Sequence, residues 1–436
     1  MESEIHPGSS KSSSFVSVIS LSASLSRSIT MMFKLLPFAL ALTEASVVLA
    51  DTYKLAYSVP WSPKNTTSVD QGAIYNGTYY LSDRLNGGVH VVDLAKGKQT
   101  GLITGFTGLV VENGASHNNV SGPNGLIVLP DRNELYVGDA PGTVRVIDLF
   151  TNKIVANIST DVKTRADEMA YDAHTGTLVV TLPNEKPPQV AIISTTDRKM
   201  TGKITFQNAT ELEQPAFNAV TRQFYVSVPS TDANPGGEIA TIDVSTLSIT
   251  HTLPLHDCIP AGIVFGPGQN LFVACSQDQI IDYGVAYSQV LDLASGQVLA
   301  NISGVAGSDQ VAYDPSAKLY FASAYQNLVG AKKDGAPMPQ LAVINATSNT
   351  LIQTWDTDSK LAHSVAVDSE TNQVVVPLAK SGINVYNLTT ATSSSNPSST
   401  SSSTAAVHTT NAAGQWVPSM SLVVGVFALA VPFIGY

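Results

Sequence analysis

A phrase of three short strands recurs seven times along this chain. Each copy has an apolar triplet, a turn, a second strand, another turn and a third strand, which ends in Asp or Asn in six of the seven copies. The stretches Val146–Ser159 and Val290–Ser303 are identical at seven of fourteen positions and begin 144 residues apart, which is three units of 48. A period of that size, built from short strands, indicates a β-propeller.

The middle residues of the second strands mark the seven units. They are Tyr80, Tyr136, Val179, Tyr225, Phe272, Tyr320 and Val375. The seventh unit runs into a Ser/Thr tract after its third strand, whereas a spare strand, Tyr53–Val59, precedes the first unit. We therefore predict an all-β fold over residues 51–390, a seven-bladed β-propeller closed by the N-terminal strand, because closure removes an open sheet edge.

Composition agrees with this fold and excludes several classes of function. Charged residues make up 13% of the chain, whereas 31 Gly and 23 Pro suit a turn-rich all-β protein. The net charge of −11 and the lack of clustered Lys and Arg argue against nucleic-acid binding. The sequence has no nucleophile elbow, dinucleotide fingerprint, zinc-protease motif or P-loop. We expect a monomer that binds a small molecule and uses no cofactor.

The N-terminal region has the pattern of a secretory leader. In Met32–Ala50 a single Lys precedes an apolar run, and small residues stand before a cleavage position after Ala50. We predict that residues 1–50 are a leader, with translation starting as late as Met31 or Met32; the alternative is an uncleaved anchor.

The C-terminal region has the order of parts found in GPI-anchor signals. Residues 391–411 form a Ser/Thr-rich stalk, and residues 412–436 begin with small residues and end in an apolar run without a following Lys or Arg. A single-pass helix is the rival interpretation, but the run is at the short limit for spanning. We predict a protein of the secretory pathway, held at the cell surface only through this tail.

Glycosylation sequons give separate support for secretion, because eight Asn residues precede x-Ser/Thr with x other than Pro. They are Asn65, Asn76, Asn119, Asn157, Asn208, Asn301, Asn345 and Asn387. The two cysteines, Cys258 and Cys275, flank one predicted hairpin, so they form either a disulfide or two buried thiols. Two cysteines alone are too few for a zinc site.

Polar side chains recur two positions before the apolar triplet of each innermost strand, where they would surround one mouth of the central channel. That position holds Gln71, Asn124, Asp167, Gln214, Ala261, Asp309 and His363. Convergent polar groups in a concave site are the default candidate for ligand binding. The alternative is structural, since such side chains also bond to turn amides and tie blades together.

Within this ring we predict His363, Asp167 and Asp309 as proton-transfer groups, because imidazole and closely spaced carboxyls exchange protons near neutral pH. Asp309 facing Asp167 would raise the pKa of one of them. Glu168 adjoins Asp167, so at most one of the two faces the channel unless the strand begins after them.

Further polar groups would bind the substrate. We predict this role for Gln71, Asn124, Gln214 and Glu168. Arg84 and Arg165 are candidates for holding an anion. We predict no metal site, the alternative being a cation held by the ring acids and His363.

Several phrases resemble the secreted seven-bladed propellers of the YVTN and lactonase-like group. They are Ala166–Asp172, Gly307–Asp314, Ala362–Asp368 and Leu135-Tyr136-Val137, and the resemblance covers about residues 53–388. The leader, sequons and repeats are also similar to the fungal hetero-Diels–Alderases of tropolone sesquiterpenoid biosynthesis.

These resemblances imply a cofactor-free cyclase acting on a small secondary metabolite at the channel mouth. A polar ring residue would assist the loss of water to give a reactive diene, and the channel would then hold diene and alkene together. The alternatives are a lactonase-like hydrolase and a non-catalytic binding protein at the cell surface.

Overall fold

The computed structural model describes residues 52–389, and the predicted leader, stalk and hydrophobic tail lie outside them. After β1, the first part of this region forms two four-stranded antiparallel sheets separated by a small hairpin. In chain order the strands are β1 (Thr52–Val59), β2 (Val69–Tyr75), β3 (Thr78–Asp83), β4 (Gly88–Asp93), β5 (Lys98–Thr104), β6 (Val111–Glu112), β7 (Ala115–Ser116), β8 (Leu126–Leu129), β9 (Glu134–Asp139), β10 (Thr143–Asp148) and β11 (Lys153–Ser159).

Three further four-stranded sheets follow in the middle of the chain. In the last of them, the connection between the second and third strands forms the one α-helix of the described region. The elements are β12 (Met169–Asp172), β13 (Thr177–Leu182), β14 (Gln189–Ser194), β15 (Lys199–Thr205), β16 (Pro215–Asn218), β17 (Gln223–Val228), β18 (Glu238–Asp243), β19 (Ser248–Pro254), β20 (Pro260–Phe265), β21 (Asn270–Cys275), α1 (Gln277–Tyr283), β22 (Tyr287–Asp292) and β23 (Gln297–Ser303).

The last seven strands complete the described region. They are β24 (Val311–Asp314), β25 (Leu319–Ala324), β26 (Gln340–Asn345), β27 (Thr350–Asp356), β28 (Ala366–Asp368), β29 (Gln373–Leu378) and β30 (Gly382–Thr389). The seventh sheet has the order β1-β30-β29-β28, so β1 is its outermost strand. Short 3₁₀ turns lie at Asn118–Val120, Pro267–Gln269 and Val329–Ala331. Within residues 52–389 no helix is long and apolar enough to span a membrane.

The innermost strands of successive sheets contact one another in a complete cycle. The contacts run from β2 through β8, β12, β16, β20, β24 and β28 and return to β2. The sheets are therefore seven blades around one axis, and the prediction of an all-β, seven-bladed β-propeller is confirmed.

Large side chains on the second strands fill the space between blades. Tyr136, Phe272 and Tyr320 are fully buried, and the rings of Phe272 and Tyr320 stack at a centroid distance of 4.9 Å between two adjacent blades. Burial of such aromatic area is a main stabilising contribution to a β-sheet core. The recurring aromatic residue of the sequence phrase thus serves blade packing.

The recurring Asp at the end of the third strand makes the turn to the fourth. Oδ1 of Asp148 accepts a hydrogen bond from the Thr151 N–H at 2.8 Å, and Oδ1 of Asp243 accepts one from the Ser245 N–H at 2.8 Å. Hydrogen bonds from the Ser245 hydroxyl and backbone lower the pKa of Asp243 to about 2. Asp is common at such positions because its side chain replaces a backbone acceptor in the turn.

Cys258 and Cys275 form a disulfide that joins the segment before β20 to the end of β21. Both residues are fully buried, in the apolar cluster that contains Ile263 and Leu271. The backbone carbonyl of Cys275 also accepts a hydrogen bond from the Ser308 N–H at 3.1 Å, so the disulfide supports the neighbouring blade.

We expect the double variant Cys258→Ser/Cys275→Ser to fold with a free energy of unfolding lower by about 3 kcal/mol. The disulfide joins residues with a sequence separation of 17, and closing a loop of this length lowers the entropy of the unfolded chain. Urea denaturation of the variant and the parent protein measures the difference. An unchanged midpoint and slope would show that this bond contributes nothing to stability.

Candidate functional site: the axial cup

A polar cavity of about 420 Å³ opens at one end of the propeller axis, where the innermost strands begin and the second strands end. We call it the axial cup. The charged and titratable residues that line it are Asp70, Arg84, Arg165, Asp167, Glu168, Glu213, Asp309, Tyr325, Lys360 and His363. Five of the seven blades or their leading segments thus bring such groups to one place, whereas blade two adds Asn118 and blade five adds Ala261 and Ser276.

Close packing between blades brings these segments together. Gly125 lies so near the start of blade three that a Cβ added to it would stand 2.6 Å from the Asp167 carbonyl oxygen. The amide N–H of Gly125 also donates to Oδ1 of Asp167 at 3.3 Å. Only a residue without a side chain permits this approach, so Gly125 helps to position the Asp167 carboxylate.

Arg84 is a buried cation held by three partners. Its Nε donates to Oδ1 of Asn124 at 2.8 Å, its Nη1 donates to the Val69 carbonyl at 3.3 Å, and its Nη2 forms an ion pair with Asp70. Burial, and then the nearby positive charge of Arg165, lower the pKa of Arg84 to about 10. The guanidinium remains charged at neutral pH and links blades one and two.

Arg165 is the second buried cation. Its Nη2 lies 2.7 Å from Oδ2 of Asp167, and its Nε has no hydrogen-bond partner among the described residues. Burial opposes the charge, but the surrounding carboxylates, with Asp167 first and then Glu213 and Glu211, raise the pKa of Arg165. Arg165 therefore compensates part of the negative charge on this side of the cup.

His363 and Asp309 form a third pair. Nδ1 of His363 lies 3.0 Å from Oδ2 of Asp309, and Nε2 lies 3.0 Å from the Val69 carbonyl oxygen. A carbonyl oxygen only accepts, so the contact with Val69 calls for a hydrogen on Nε2, and the Asp309 carboxyl lies within hydrogen-bond distance of Nδ1. The ring also packs against Tyr325 at a centroid distance of 5.3 Å. Both ring nitrogens of His363 are thus engaged.

Glu168 and Glu213 complete the cup without such partners. Neither carboxyl has a hydrogen bond or ion pair with any residue in the described region, although Glu168 is only 5% exposed. Burial, and then the negative charges of Glu213, Asp167 and Asp309, raise the pKa of Glu168 well above its ordinary range. Burial, and then Asp309, Glu211 and Asp167, do the same for Glu213.

The structure brings four members of the predicted ring into the cup, namely Asp167, Ala261, Asp309 and His363. Glu168 lines it as well. Asp167 and Glu168 both face the cavity because β12 begins only at Met169, so the alternation of a strand does not yet apply.

The other three ring members lie elsewhere. Asn124 is fully buried and holds Arg84, and its Nδ2 donates to the Ser121 and Ala166 carbonyls. Gln71 and Gln214 line a second cavity of about 280 Å³ farther along the innermost strands. The expectation that all ring members share one mouth is therefore wrong for these three residues, and Asn124 has the structural role that was the alternative.

Sequence reasoning missed Asp70, Glu213 and Tyr325. A bulge in the pairing of β2 with β3, between Val69 and Gly72, brings Asp70 rather than Gln71 into the cup. In blade four Glu213, one residue before the aligned Gln214, takes the corresponding place. The only sequence signal for these two acids is that each directly precedes the aligned ring position, which is Gln71 in blade one and Gln214 in blade four.

The elevated pKa values fall on Glu168 and Glu213, whereas Asp167 and Asp309 are paired with Arg165 and His363. Burial, and then Asp309, also raise the pKa of Tyr325, so its hydroxyl stays protonated. Among residues 52–389, no group of three or more His, Cys, Asp or Glu side chains is arranged to hold a metal ion.

Comparisons with known proteins establish the fold and no family. No protein-family model matches the chain, and no curated protein matches it. Among solved structures 1660 chains match, so a match to this fold does not identify an activity. One of them, the hydrazine synthase of Kuenenia stuttgartiensis, has a TM-score of 0.60 and 12% identity over 75% of this chain and 97% of that chain. The likeness shows a shared β-propeller fold.

We expect Glu168→Gln to stabilise the protein at pH 8 and to leave its stability unchanged at pH 4. A carboxyl whose pKa is raised on folding favours the folded state below its unfolded pKa, about 4.3. That contribution is lost as the pH rises through the folded pKa. The amide imitates the protonated acid at every pH, and melting temperatures between pH 4 and pH 8 measure the difference.

Asp167→Asn is the contrasting variant. It leaves the buried Arg165 without its carboxylate, so we expect a loss of about 3 kcal/mol at neutral pH. If Glu168→Gln instead destabilises the protein at pH 8 as Asp167→Asn does, Glu168 is a charged structural partner and not a protonated acid.

Proposed function

We propose that the axial cup is an enzyme active site for acid–base chemistry on a small oxygenated molecule. The observation that carries this proposal is the pair Glu168 and Glu213, two carboxyls with raised pKa that line one cavity without protein partners. General acids and bases work best when their pKa lies near the operating pH. Structural carboxyls such as Asp70 are instead held by a cation.

The two glutamates act as a coupled pair. The negative charge of Glu213 raises the pKa of Glu168, so the two carboxyls lose their protons in separate steps and the pair holds one proton between them. The protonated member donates to the leaving oxygen, and the ionised member removes the proton of a hydroxyl group conjugated with the reacting carbon. We assign these roles to the pair and not to one residue each.

The specific reaction we propose is that of a cofactor-free cyclase of the hetero-Diels–Alder type. Loss of water from a hydroxylated precursor forms a reactive diene, and the confined space then holds the diene against an alkene. The cup's volume lies within the range of ordinary small-molecule sites. Proton transfer by His363, Asp167 and Asp309 stays a prediction. Each of these groups already has a partner in the cup, so we assign the acid and base roles first to the two glutamates.

Two alternatives use the same cup. A lactonase-like hydrolase would depend on a divalent cation and lose activity in EDTA. A non-catalytic binding protein of the cell surface would bind a small molecule and leave it unchanged.

We also infer that the protein is a secreted glycoprotein. Seven of the eight sequon asparagines are exposed, and Asn345 is half-buried. Asn157 and Asn301 lie at equivalent positions on the fourth strands β11 and β23. Glycans there would cover outer strand edges, where the unpaired backbone is prone to pair with other chains.

The enzyme proposal is tested with an ortho-hydroxybenzyl alcohol and an electron-rich alkene as substrates of the purified full chain. We expect an alkene adduct to form faster than in buffer, and Glu168→Gln and Glu213→Gln each to lower the rate by 10²–10⁴-fold, the usual contribution of a general acid or base. Chromatography of the adduct against time measures the rates.

Glu370→Gln is the matched control, because Glu370 is an exposed acid on a turn that does not line the cup. We expect it to retain the parental rate. Equal rates for the parent, Glu168→Gln and Glu213→Gln would remove both carboxyls from the mechanism.

For glycosylation, we expect peptide-N-glycosidase to lower the mass of the protein secreted from a eukaryotic host. Ser159→Ala, which breaks the Asn157 sequon, should remove one glycan, whereas Ser159→Thr should keep it. Intact-mass spectrometry counts the glycans. A mass that equals the unmodified chain would contradict the assignment.

A further inference from the structure

The axial cup holds more negative than positive groups. Five carboxyls line it, and Arg84, Arg165 and His363 each pair with one of them. The remaining cation, Lys360, is exposed. Glu168 and Glu213 are therefore left without an ion-pair partner among the described residues.

Two side chains without a hydrogen-bond partner in the described region line the cavity beside this deficit. Glu168 is 5% exposed and Ser308 is 3% exposed, and both line the cavity. The Ser308 hydroxyl has no hydrogen-bond partner among the described residues, and neither has the Glu168 carboxyl. Buried polar groups are nearly always hydrogen-bonded, so an occupant of the cavity is expected to supply the missing donors.

An anion is a poor occupant. The two buried guanidinium groups already hold the carboxylates of Asp70 and Asp167. An anion that displaced either carboxylate would leave another buried negative charge beside Glu168, and the half-buried Glu211 adds to the same field. The charges of the cup thus discriminate against a negative ligand.

We propose that the axial cup recognises positive charge: it binds small organic cations, and it stabilises the positive charge that develops on a substrate carbon when a protonated hydroxyl leaves as water. The first part depends only on the arrangement of charges, and the second rests on the proposed function.

The step balances as an elimination. The protonated glutamate gives its proton to the hydroxyl oxygen, the C–O bond breaks, and its electron pair leaves with the water. The carbon becomes electron-deficient between Glu168 and Glu213, whose excess negative charge stabilises it in a site of low dielectric constant. The ionised member of the pair then removes the proton of a conjugated hydroxyl group, and the O–H electrons form the new C=O double bond of the diene.

Three probes of matched size test the recognition of charge: cyclohexylammonium, cyclohexanol and cyclohexanecarboxylate. Calorimetric titration of the full chain at pH 7 is expected to show cyclohexylammonium binding at least about tenfold more tightly than cyclohexanol, with the carboxylate weakest. In two buffers that differ in ionisation enthalpy, the apparent binding enthalpy of the cation should differ, because its approach releases a proton from the glutamate pair.

Glu168→Gln and Glu213→Gln should each weaken cyclohexylammonium binding about tenfold and reduce the proton release, with little change for cyclohexanol. Glu370→Gln should bind all three probes as the parent does. The inference is overturned if cyclohexylammonium shows no preference over cyclohexanol, if it does not bind at millimolar concentration, or if the carboxylate binds most tightly.

The two proposals fail separately. Selective binding of the cation without formation of the alkene adduct would reject the proposed reaction and retain the recognition of cations. Adduct formation without cation selectivity would reject this inference and retain the acid–base enzyme.

Discussion

The packing of seven innermost strands around one axis is the constraint on which the rest of the structure depends. Each strand begins at the same end of the ring, so the residues just before it are forced together whatever their charge. An isolated carboxylate in such a place loses most of its hydration, which is a large cost. Arg84 and Arg165 offset this cost for Asp70 and Asp167, and they also join neighbouring blades.

Arg84 and Arg165 do not compensate all of the negative charge in the cup, because Glu168 and Glu213 have no ion-pair partner among the described residues. A cup with a purely structural role would not be expected to leave two such carboxyls. If stability alone had shaped it, Glu168 and Glu213 would be paired or replaced by apolar residues, since partly satisfied polar networks are worse than none. Residues that lower stability concentrate at functional sites. The same two carboxyls that cost stability at neutral pH are those able to exchange a proton there.

The fold was predictable from the sequence because a similar unit recurs seven times, with markers 43 to 56 residues apart, and most copies carry the same local signals. The Asp that ends a third strand caps a turn, and the aromatic residue of the second strand fills the space between blades. Most blades repeat these local requirements. The repeat therefore stays recognisable where a copy departs from it, as at Val179 and Ser194 in blade three.

The site was predictable only in part, because it depends on where each strand begins. Asp167, Glu168, Asp309 and His363 were found by aligning the repeats. Asp70 and Glu213 were missed by one position each. A single-residue bulge exchanges the side chain that faces the cup, and no periodic signal records it.

The fold shared with hydrazine synthase of Kuenenia stuttgartiensis therefore carries no information about chemistry here. A propeller supplies a ring of positions, and the residues at those positions decide what the ring binds. In this chain two of the five cup carboxyls pair with buried guanidinium groups, a third contacts the His363 imidazole, and two have no such partner among the described residues. Negative charge that the protein leaves unbalanced in this cavity favours the uptake of a proton when the cavity holds no cation. A bound cation, or a positive charge that forms during reaction, can take the place of that proton, so acid–base chemistry and the recognition of positive charge have one physical origin.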